Sequence, residues 1–90
     1  MSDWKIEFDQ RARRELEKLG HPTARRILRF LAQRVEGSAD PTQFGRALTG
    51  PYAGLWRYRV SDWRIIARIE KHRLVVLVLR VGHRRDVYDR

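Results

Sequence analysis

Two antiparallel strands and the turn between them can be read directly from residues 55–70, LWRYRVSDWRIIARIE. Apolar and charged side chains alternate on both sides of Ser61-Asp62, and such alternation is typical of strands with one buried face. If Ser61 and Asp62 are the two central residues of a hairpin turn, then Arg59 lies directly opposite Arg64. The hairpin then has one apolar face and one face, here named the arginine face, that carries four arginines: Arg57, Arg59, Arg64 and Arg68.

The pairing of Arg59 with Arg64 is informative because like charges directly opposite each other on neighbouring strands are destabilising. A sequence selected only for folding has simple ways to avoid such a pair. The arrangement therefore favours an anion-binding site. The alternative is an ordinary solvent-exposed sheet face whose arginine side chains point away from one another.

The overall charge points to the same classes of partner. The net charge is +9, and arginine supplies seventeen of the twenty cations. Residues 55–90 hold half of the cations but only four of the eleven carboxylates. This balance indicates nucleic acid, an acidic protein or an anionic membrane as partner. A membrane surface is the weakest of the three, because the arginines lie on predicted strands and not on one amphipathic helix.

The N-terminal half is predicted to be helical after one strand. Residues 3–8 alternate like a half-buried strand, and Asp9 is suited to cap the helix that follows and ends at Gly20. A second helix is predicted from Pro22 to Val35. Its apolar stripe has the clearest helical spacing in the chain: Ala24, Ile27, Leu28, Leu31, Ala32 and Val35.

The rest of the chain completes one small domain. Residues 37–54 form a long connection that Phe44 and Leu48 are expected to fix to the core. Residues 74–81 are predicted to be a third strand of the sheet, apolar on both faces and therefore interior. The prediction is a single α+β domain over residues 1–90, with element order β-α-α-β-β-β and two helices packed on a mostly antiparallel sheet.

Several classes of protein are excluded by composition. There is no cysteine, which excludes disulfides and thiolate metal sites and suits the reducing cytoplasm. The longest apolar run has six residues, too few to span a bilayer, and the N-terminus lacks the apolar stretch of a signal peptide. No carboxylate cluster or close histidine pair suggests a metal site, so neither a metal nor a cofactor is expected.

The tail, VGHRRDVYDR at residues 81–90, is highly polar although it follows the most apolar strand. A rigid strand can place the residues at its end. We expect it to bring His83, Arg84 and Tyr88 beside the arginine face.

Three stretches together resemble the RelE branch of the RelE/ParE toxins: Leu48-Thr49-Gly50, residues 55–66 and residues 81–88. The order of elements resembles the small RelE-like, microbial-RNase-like fold along nearly the whole chain. The resemblance implies a toxin of a type II toxin–antitoxin system, an endoribonuclease that cleaves mRNA in the ribosomal A site and inhibits translation. It also implies a RelB-like antitoxin as protein partner.

The resemblance also implies roles for particular residues. Two basic residues of the family, often lysines, correspond to Arg57 and Arg59 as RNA-binding residues. Arg68, on the same face of the hairpin, is expected to bind RNA with them. Its later arginines and its tyrosine correspond to Arg64, Arg84 and Tyr88 as catalytic residues. This chain departs from the family in having arginine at positions 57 and 59. Since arginine does not give up its proton in proteins, a lysine proton shuttle is not available here. A second departure is Ser61, where the hairpin often has glycine.

RNA cleavage without a metal sets its own chemical requirements. The 2′-OH attacks the adjacent phosphate, which requires a base, an acid for the leaving 5′-oxygen and positive charge around the phosphoryl oxygens. Arginines supply the charge. Tyr88 is a candidate base, because neighbouring cations would lower its ordinary pKa of about 10. His83 is the competing base or acid, because histidine is the side chain type most often used for proton transfer near neutral pH.

Two other functions remain open at the level of sequence. The ParE branch shares the fold and poisons DNA gyrase without cleaving RNA, but it generally lacks the late arginine and tyrosine. A non-catalytic RNA- or antitoxin-binding module would use the arginines only to grip phosphates.

Overall fold

The computed structural model describes residues 3–85 and contains two helices packed on one five-stranded sheet. The helices are α1 (Gln10–Glu17) and α2 (His21–Phe30), and α2 continues as a π-helix over Leu31–Glu36. The strands are β1 (Lys5–Phe8), β2 (Arg46–Ala47), β3 (Trp56–Val60), β4 (Trp63–Glu70) and β5 (Val75–His83), with a 3₁₀ turn at Gly50–Tyr52. The predicted α+β class is therefore confirmed.

The sheet has the order β1-β5-β4-β3-β2, and its neighbours are antiparallel except for β1 and β5. The predicted hairpin register is confirmed, with Arg59 opposite Arg64 and Val60 opposite Trp63. Ser61 has a φ of 58°, in the left-handed region that glycine usually occupies in such turns. The strand predicted over residues 74–81 corresponds to β5. Because β5 lies between β1 and β4, its predicted interior position is also confirmed.

The ends of the elements differ from the sequence prediction in two places. The two-residue strand β2 lies inside the predicted connection, and β5 continues through Gly82 to His83 instead of ending at residue 81. Pairing with β4 accounts for the longer β5, since Arg64 and Trp63 pair with Gly82 and His83.

The predicted apolar stripe of the second helix is too wide. Ile27, Leu31 and Val35 are buried at steps of four residues, whereas Leu28 is 43% exposed and Ala32 is exposed. The stripe that contacts the sheet is thus narrower than the pattern of apolar residues. Leu28 belongs to the surface of the domain and not to its core.

The core lies between the helices and one face of the sheet. Side chains from α1, α2, the π-helix and β3–β5 form it: Ala12, Leu16, Ile27, Leu31, Val35, Tyr58, Val60, Ile65, Ala67, Val76, Val78 and Val81. The core residues from Tyr58 to Ala67 are all among those predicted for the apolar face of the hairpin. The arginines between them must therefore lie on the face of the sheet away from the helices.

Tyr58 fixes the long connection to the core. Its hydroxyl donates a hydrogen bond to the Pro41 carbonyl oxygen at 2.6 Å, and its ring packs against Gly45, where a Cβ would come within 2.9 Å of a ring carbon. The prediction that Phe44 fixes this segment is wrong. Phe44 is 41% exposed, and the Arg34 guanidinium lies 5.3 Å from the centre of its ring.

Tyr58→Phe is expected to lower the free energy of unfolding by about 1–3 kcal/mol, because the Pro41 carbonyl loses its donor. Burial raises the pKa of Tyr58 from 10.0 to about 12. The unfolded chain thus releases this proton first, so stability is lost as pH rises from 10 toward 12. Guanidinium unfolding at a series of pH values should show this alkaline loss in the wild type and not in the variant. Equal stability at pH 7 would contradict the role given to the hydroxyl.

Candidate nucleic-acid interface

The arginine face contains two like-charge pairs across strands, one more than the sequence predicts. Arg59 lies opposite Arg64 as expected, and Arg46 of β2 lies opposite Arg57 of β3. Directly opposed side chains on one face are separated by only about 4.5–5.5 Å at Cβ. Strand β3 therefore carries two arginines, each facing another arginine, which concentrates positive charge on this face.

Arg57 is also partly desolvated. Its Nε is buried, and among residues 3–85 it has no hydrogen-bond acceptor. A buried donor without an acceptor costs roughly 1–3 kcal/mol, so such atoms in a native fold call for a specific explanation. An anion bound at this face would supply the acceptor.

The end of the hairpin is open on this face. Gly82 lies opposite Arg64 on β5 and adds no side chain beside it. Arg84 follows and is held at the hairpin turn, because its backbone N–H donates to the Asp62 carbonyl oxygen at 2.8 Å. Its Nη1 lies 4.0 Å from Asp62 Oδ1, and both side chains are exposed, so this ion pair is weak. Arg84 is thus next to the turn that joins the strands of Arg59 and Arg64.

Arg80 is a further basic residue of this face that the sequence prediction missed. It lies opposite Ile66, and its Nε donates to Glu15 Oε2 at 3.0 Å. The other oxygen of Glu15 accepts from the Val81 N–H at 2.8 Å, beyond the last residue of β5 paired with β1. The sequence held a signal for this position of Arg80, because it lies two residues before Gly82 and residues two apart in a strand share a face.

Arg68 lies on the same face but in a different environment. It donates to Glu70 at 3.1 Å, and Glu70 also accepts from Arg73, which contacts Glu7. The hydrogen bond from Arg68, reinforced by Arg73, holds the pKa of Glu70 below its usual value. Ile66 separates Arg68 from Arg64 along β4. RNA binding by Arg68 stays a prediction, and its charge is partly neutralised where it lies.

The expectation that His83 lies beside the arginine face is wrong. His83 pairs with Trp63 and so lies on the other face of the sheet, with the two rings edge to face at 5.5 Å. Its Nδ1 accepts a hydrogen bond from the Arg85 N–H at 3.2 Å. The extension of β5 past Gly82 causes this, because alternation then points residue 83 towards the helices. Tyr88 lies outside the described residues, so its position stays a prediction.

Comparison with known proteins identifies the family. The sequence model described as ParE toxin of the type II toxin–antitoxin system parDE matches residues 6–88. Toxin RelG of Mycobacterium tuberculosis is 34% identical over 87 residues, covering 94% of this chain and 95% of the relative.

Solved structures agree with that assignment. The RelBE2 toxin–antitoxin complex of M. tuberculosis superposes with a TM-score of 0.84 at 29% identity, covering 96% of this chain and 97% of the other. The isolated Escherichia coli RelE toxin gives a TM-score of 0.70 at 22% identity, over 89% and 83% of the chains, which shows a common fold. The chain is therefore a toxin of the RelE family, within the RelE/ParE superfamily of type II toxin–antitoxin systems.

Proposed function

We propose that this toxin is a metal-independent endoribonuclease that cleaves mRNA in the ribosomal A site, in the cytoplasm, and so inhibits translation. The proposal is carried by two pairs of arginines that lie opposite each other on one face of the sheet, Arg46 with Arg57 and Arg59 with Arg64. Arg84 lies beside the hairpin turn, at the open end of this face. Each opposition costs stability in the free protein. A bound phosphodiester would offset both costs. The ribosomal A site as the place of cleavage comes from the resemblance to RelE toxins.

In the proposed reaction, the 2′-oxygen forms a bond to phosphorus and the bond from phosphorus to the 5′-oxygen breaks. A base takes the 2′-OH proton, and an acid gives a proton to the 5′-oxygen. The products are a 2′,3′-cyclic phosphate and a 5′-OH. Arg57, Arg59 and Arg64 would hold the phosphoryl oxygens, and Arg84 would stabilise the charge that develops in the transition state. None of them can serve as the base, since arginine stays protonated.

We assign the proton transfer to Tyr88, on the basis of the resemblance. His83 is the competing group, and its geometry argues against it. It faces Trp63 on the helix side of the sheet, and its Nδ1 already accepts the Arg85 N–H. A base must reach within about 2.6–3.2 Å of the proton it abstracts.

The proposal is tested by adding purified toxin to a translation reaction and mapping the mRNA by primer extension. New ends within the translated region are expected, and their 3′ termini should carry a 2′,3′-cyclic phosphate. The matching family model is described as ParE toxin, which keeps gyrase poisoning as the second candidate. Intact mRNA together with trapped gyrase–DNA complexes would overturn the proposal in favour of that candidate.

We further propose that a RelB-like antitoxin neutralises the toxin by binding a groove between α1 and α2. The groove has a volume of about 610 Å³, and its apolar lining includes Leu16, Ala24 and the exposed Leu28. Arg25 and Arg29 line the same groove. An acidic amphipathic helix matches both features, because its apolar side chains can enter the groove while its carboxylates meet the arginines. The similar M. tuberculosis RelBE2 structure is a toxin–antitoxin complex, which supports a partner of this kind.

Leu28→Glu is expected to weaken antitoxin binding by about 30-fold or more, as for a central interface side chain. The cause is a carboxylate introduced into an apolar groove and facing an acidic partner. Leu74→Glu is the matched control, since Leu74 is 40% exposed at the turn between β4 and β5 and does not line the groove. Affinity is measured with a purified RelB-like antitoxin. Equal losses in both variants, or none in either, would contradict the docking site.

A further inference from the structure

A second site lies on the arginine face, around a residue that the core does not explain. Ile66 is only 4% exposed although it lies on the face away from the helices, and it is absent from the core cluster. It forms part of a cavity of about 280 Å³ together with Tyr52, Leu55, Leu79 and Arg80, and Asp9 also lines it. The 3₁₀ turn at Gly50–Tyr52 brings Tyr52 to this cavity.

This cavity adjoins the proposed phosphate site. Ile66 pairs with Arg57 on one side and with Arg80 on the other. Because directly opposed side chains lie about 4.5–5.5 Å apart at Cβ, the side chain of Arg57 lies beside Ile66 at the edge of the cavity. A nucleotide whose phosphate lies on Arg57 can therefore place its base in the cavity.

The lining has the chemistry that recognises an unstacked base. Single-stranded RNA is read by bases that stack on aromatic or arginine side chains and form hydrogen bonds through their edges. Here Tyr52 is aromatic, Ile66, Leu55 and Leu79 are apolar, and Asp9 and Arg80 supply an acceptor and a donor. The volume is just below the range of about 300–1,000 Å³ typical of ligand pockets, which suits one flat ring system.

The polar groups at the cavity are held in place by the fold. Asp9 Oδ1 accepts the Arg11 N–H at 2.9 Å as the cap of α1, and Arg80 is oriented by Glu15. A carboxylate has further lone pairs for a second donor. Asp9 is thus a preorganised acceptor for an N–H on the edge of a base.

We propose that this cavity binds one base of the RNA strand, with Tyr52 as the stacking residue and Asp9 as the edge-reading residue, and so gives the toxin a base preference. The inference rests on the proposed RNA-binding function of the arginine face. It adds a specificity site to a surface on which Arg57, Arg59 and Arg64 are proposed to hold phosphates. If Tyr52 merely anchors the 3₁₀ turn, its loss lowers stability and leaves the discrimination between bases unchanged.

The test measures binding of a short single-stranded RNA, methylated at every 2′-oxygen so that the 2′-OH attack is blocked. The base is removed from one nucleotide at a time. Loss of the base at one position should weaken wild-type binding by roughly 5- to 150-fold, the contribution of one base stacked on an aromatic side chain. Tyr52→Ala should weaken binding of the intact RNA by a similar factor. In this variant, removing the base at the sensitive position should cause no further loss of binding. Tyr52→Phe, which keeps the ring, should retain most of the affinity.

Asp9→Asn keeps the helix cap, since asparagine caps as well as aspartate does. It should change which base is preferred at the sensitive position without changing the salt dependence of binding. If the wild type binds RNA but no abasic position depends on Tyr52, the base site is wrong and the phosphate site stands. If the wild type does not bind the RNA at all, both are overturned.

Discussion

Tyr88→Phe is expected to reduce mRNA cleavage by a factor of about 10²–10⁴, the usual worth of a general base or acid. The variant keeps the aromatic ring and removes only the hydroxyl, so folding and antitoxin binding should stay at wild-type levels. Single-turnover cleavage rates give the readout. This prediction comes from the resemblance to RelE toxins, because Tyr88 lies outside the described residues.

Two further variants separate the roles at the active site. His83→Gln should leave the cleavage rate nearly unchanged, since His83 faces Trp63 on the helix side of the sheet. Arg84→Ala should lower it by about 10²–10³, as for a lost transition-state charge donor. A normal rate for Tyr88→Phe with a large loss for His83→Gln would move the proton transfer to His83. Normal rates for all three would mean that none of these side chains takes part in cleavage, and would contradict the proposed active site.

Arg59→Glu is expected to change stability and activity in opposite directions. It replaces the like-charge pair with Arg64 by an opposite-charge pair, which should raise the free energy of unfolding by about 0.2–1 kcal/mol. The same change puts a carboxylate against the scissile phosphate and should reduce cleavage by at least about 10²–10³. Urea unfolding and single-turnover cleavage measure the two effects.

Arg26→Glu is the control for this prediction. It makes the same change of charge at an exposed position of α2, in the helical layer on the other side of the sheet. It should leave the cleavage rate unchanged. If Arg59→Glu destabilises the protein, then Arg59 and Arg64 do not repel each other in the free toxin, and their opposition is no sign of an anion site.

The hairpin register was predictable because the side-chain period of a strand is two. Once Ser61-Asp62 is taken as the turn, every opposition follows, including Arg59 with Arg64. Arg46 was not predictable in the same way. Its strand has two residues inside a connection rich in glycine and proline, too short for any alternation to be visible. Arg46 lies opposite Arg57 because β2 pairs with the edge of β3 that does not pair with β4.

The remaining differences arise from tertiary pairing. His83 lies on the helix side of the sheet, and not on the arginine face, because pairing with β4 extends β5 beyond Gly82. The local sequence around Gly82 does not show this pairing. The register shift between Ile66 and Ala67 has a similar origin, and it brings Leu79 into the cavity beside Ile66. Leu28 fits the apolar spacing of α2, but it is 43% exposed and lines the groove between α1 and α2. Spacing alone does not distinguish a core residue from a docking residue.

The salt dependence of RNA binding tests the central claim, that the arginine face is the substrate surface, most directly. For single-stranded RNA, each phosphate contact contributes about −0.7 to the slope of log affinity against log salt concentration. We predict that Arg59→Glu flattens the wild-type slope by about 0.7 or more, while Arg26→Glu leaves it unchanged. Equal slopes for the two variants would mean that RNA is attracted only by the diffuse charge of the protein, and would contradict a defined site on this face.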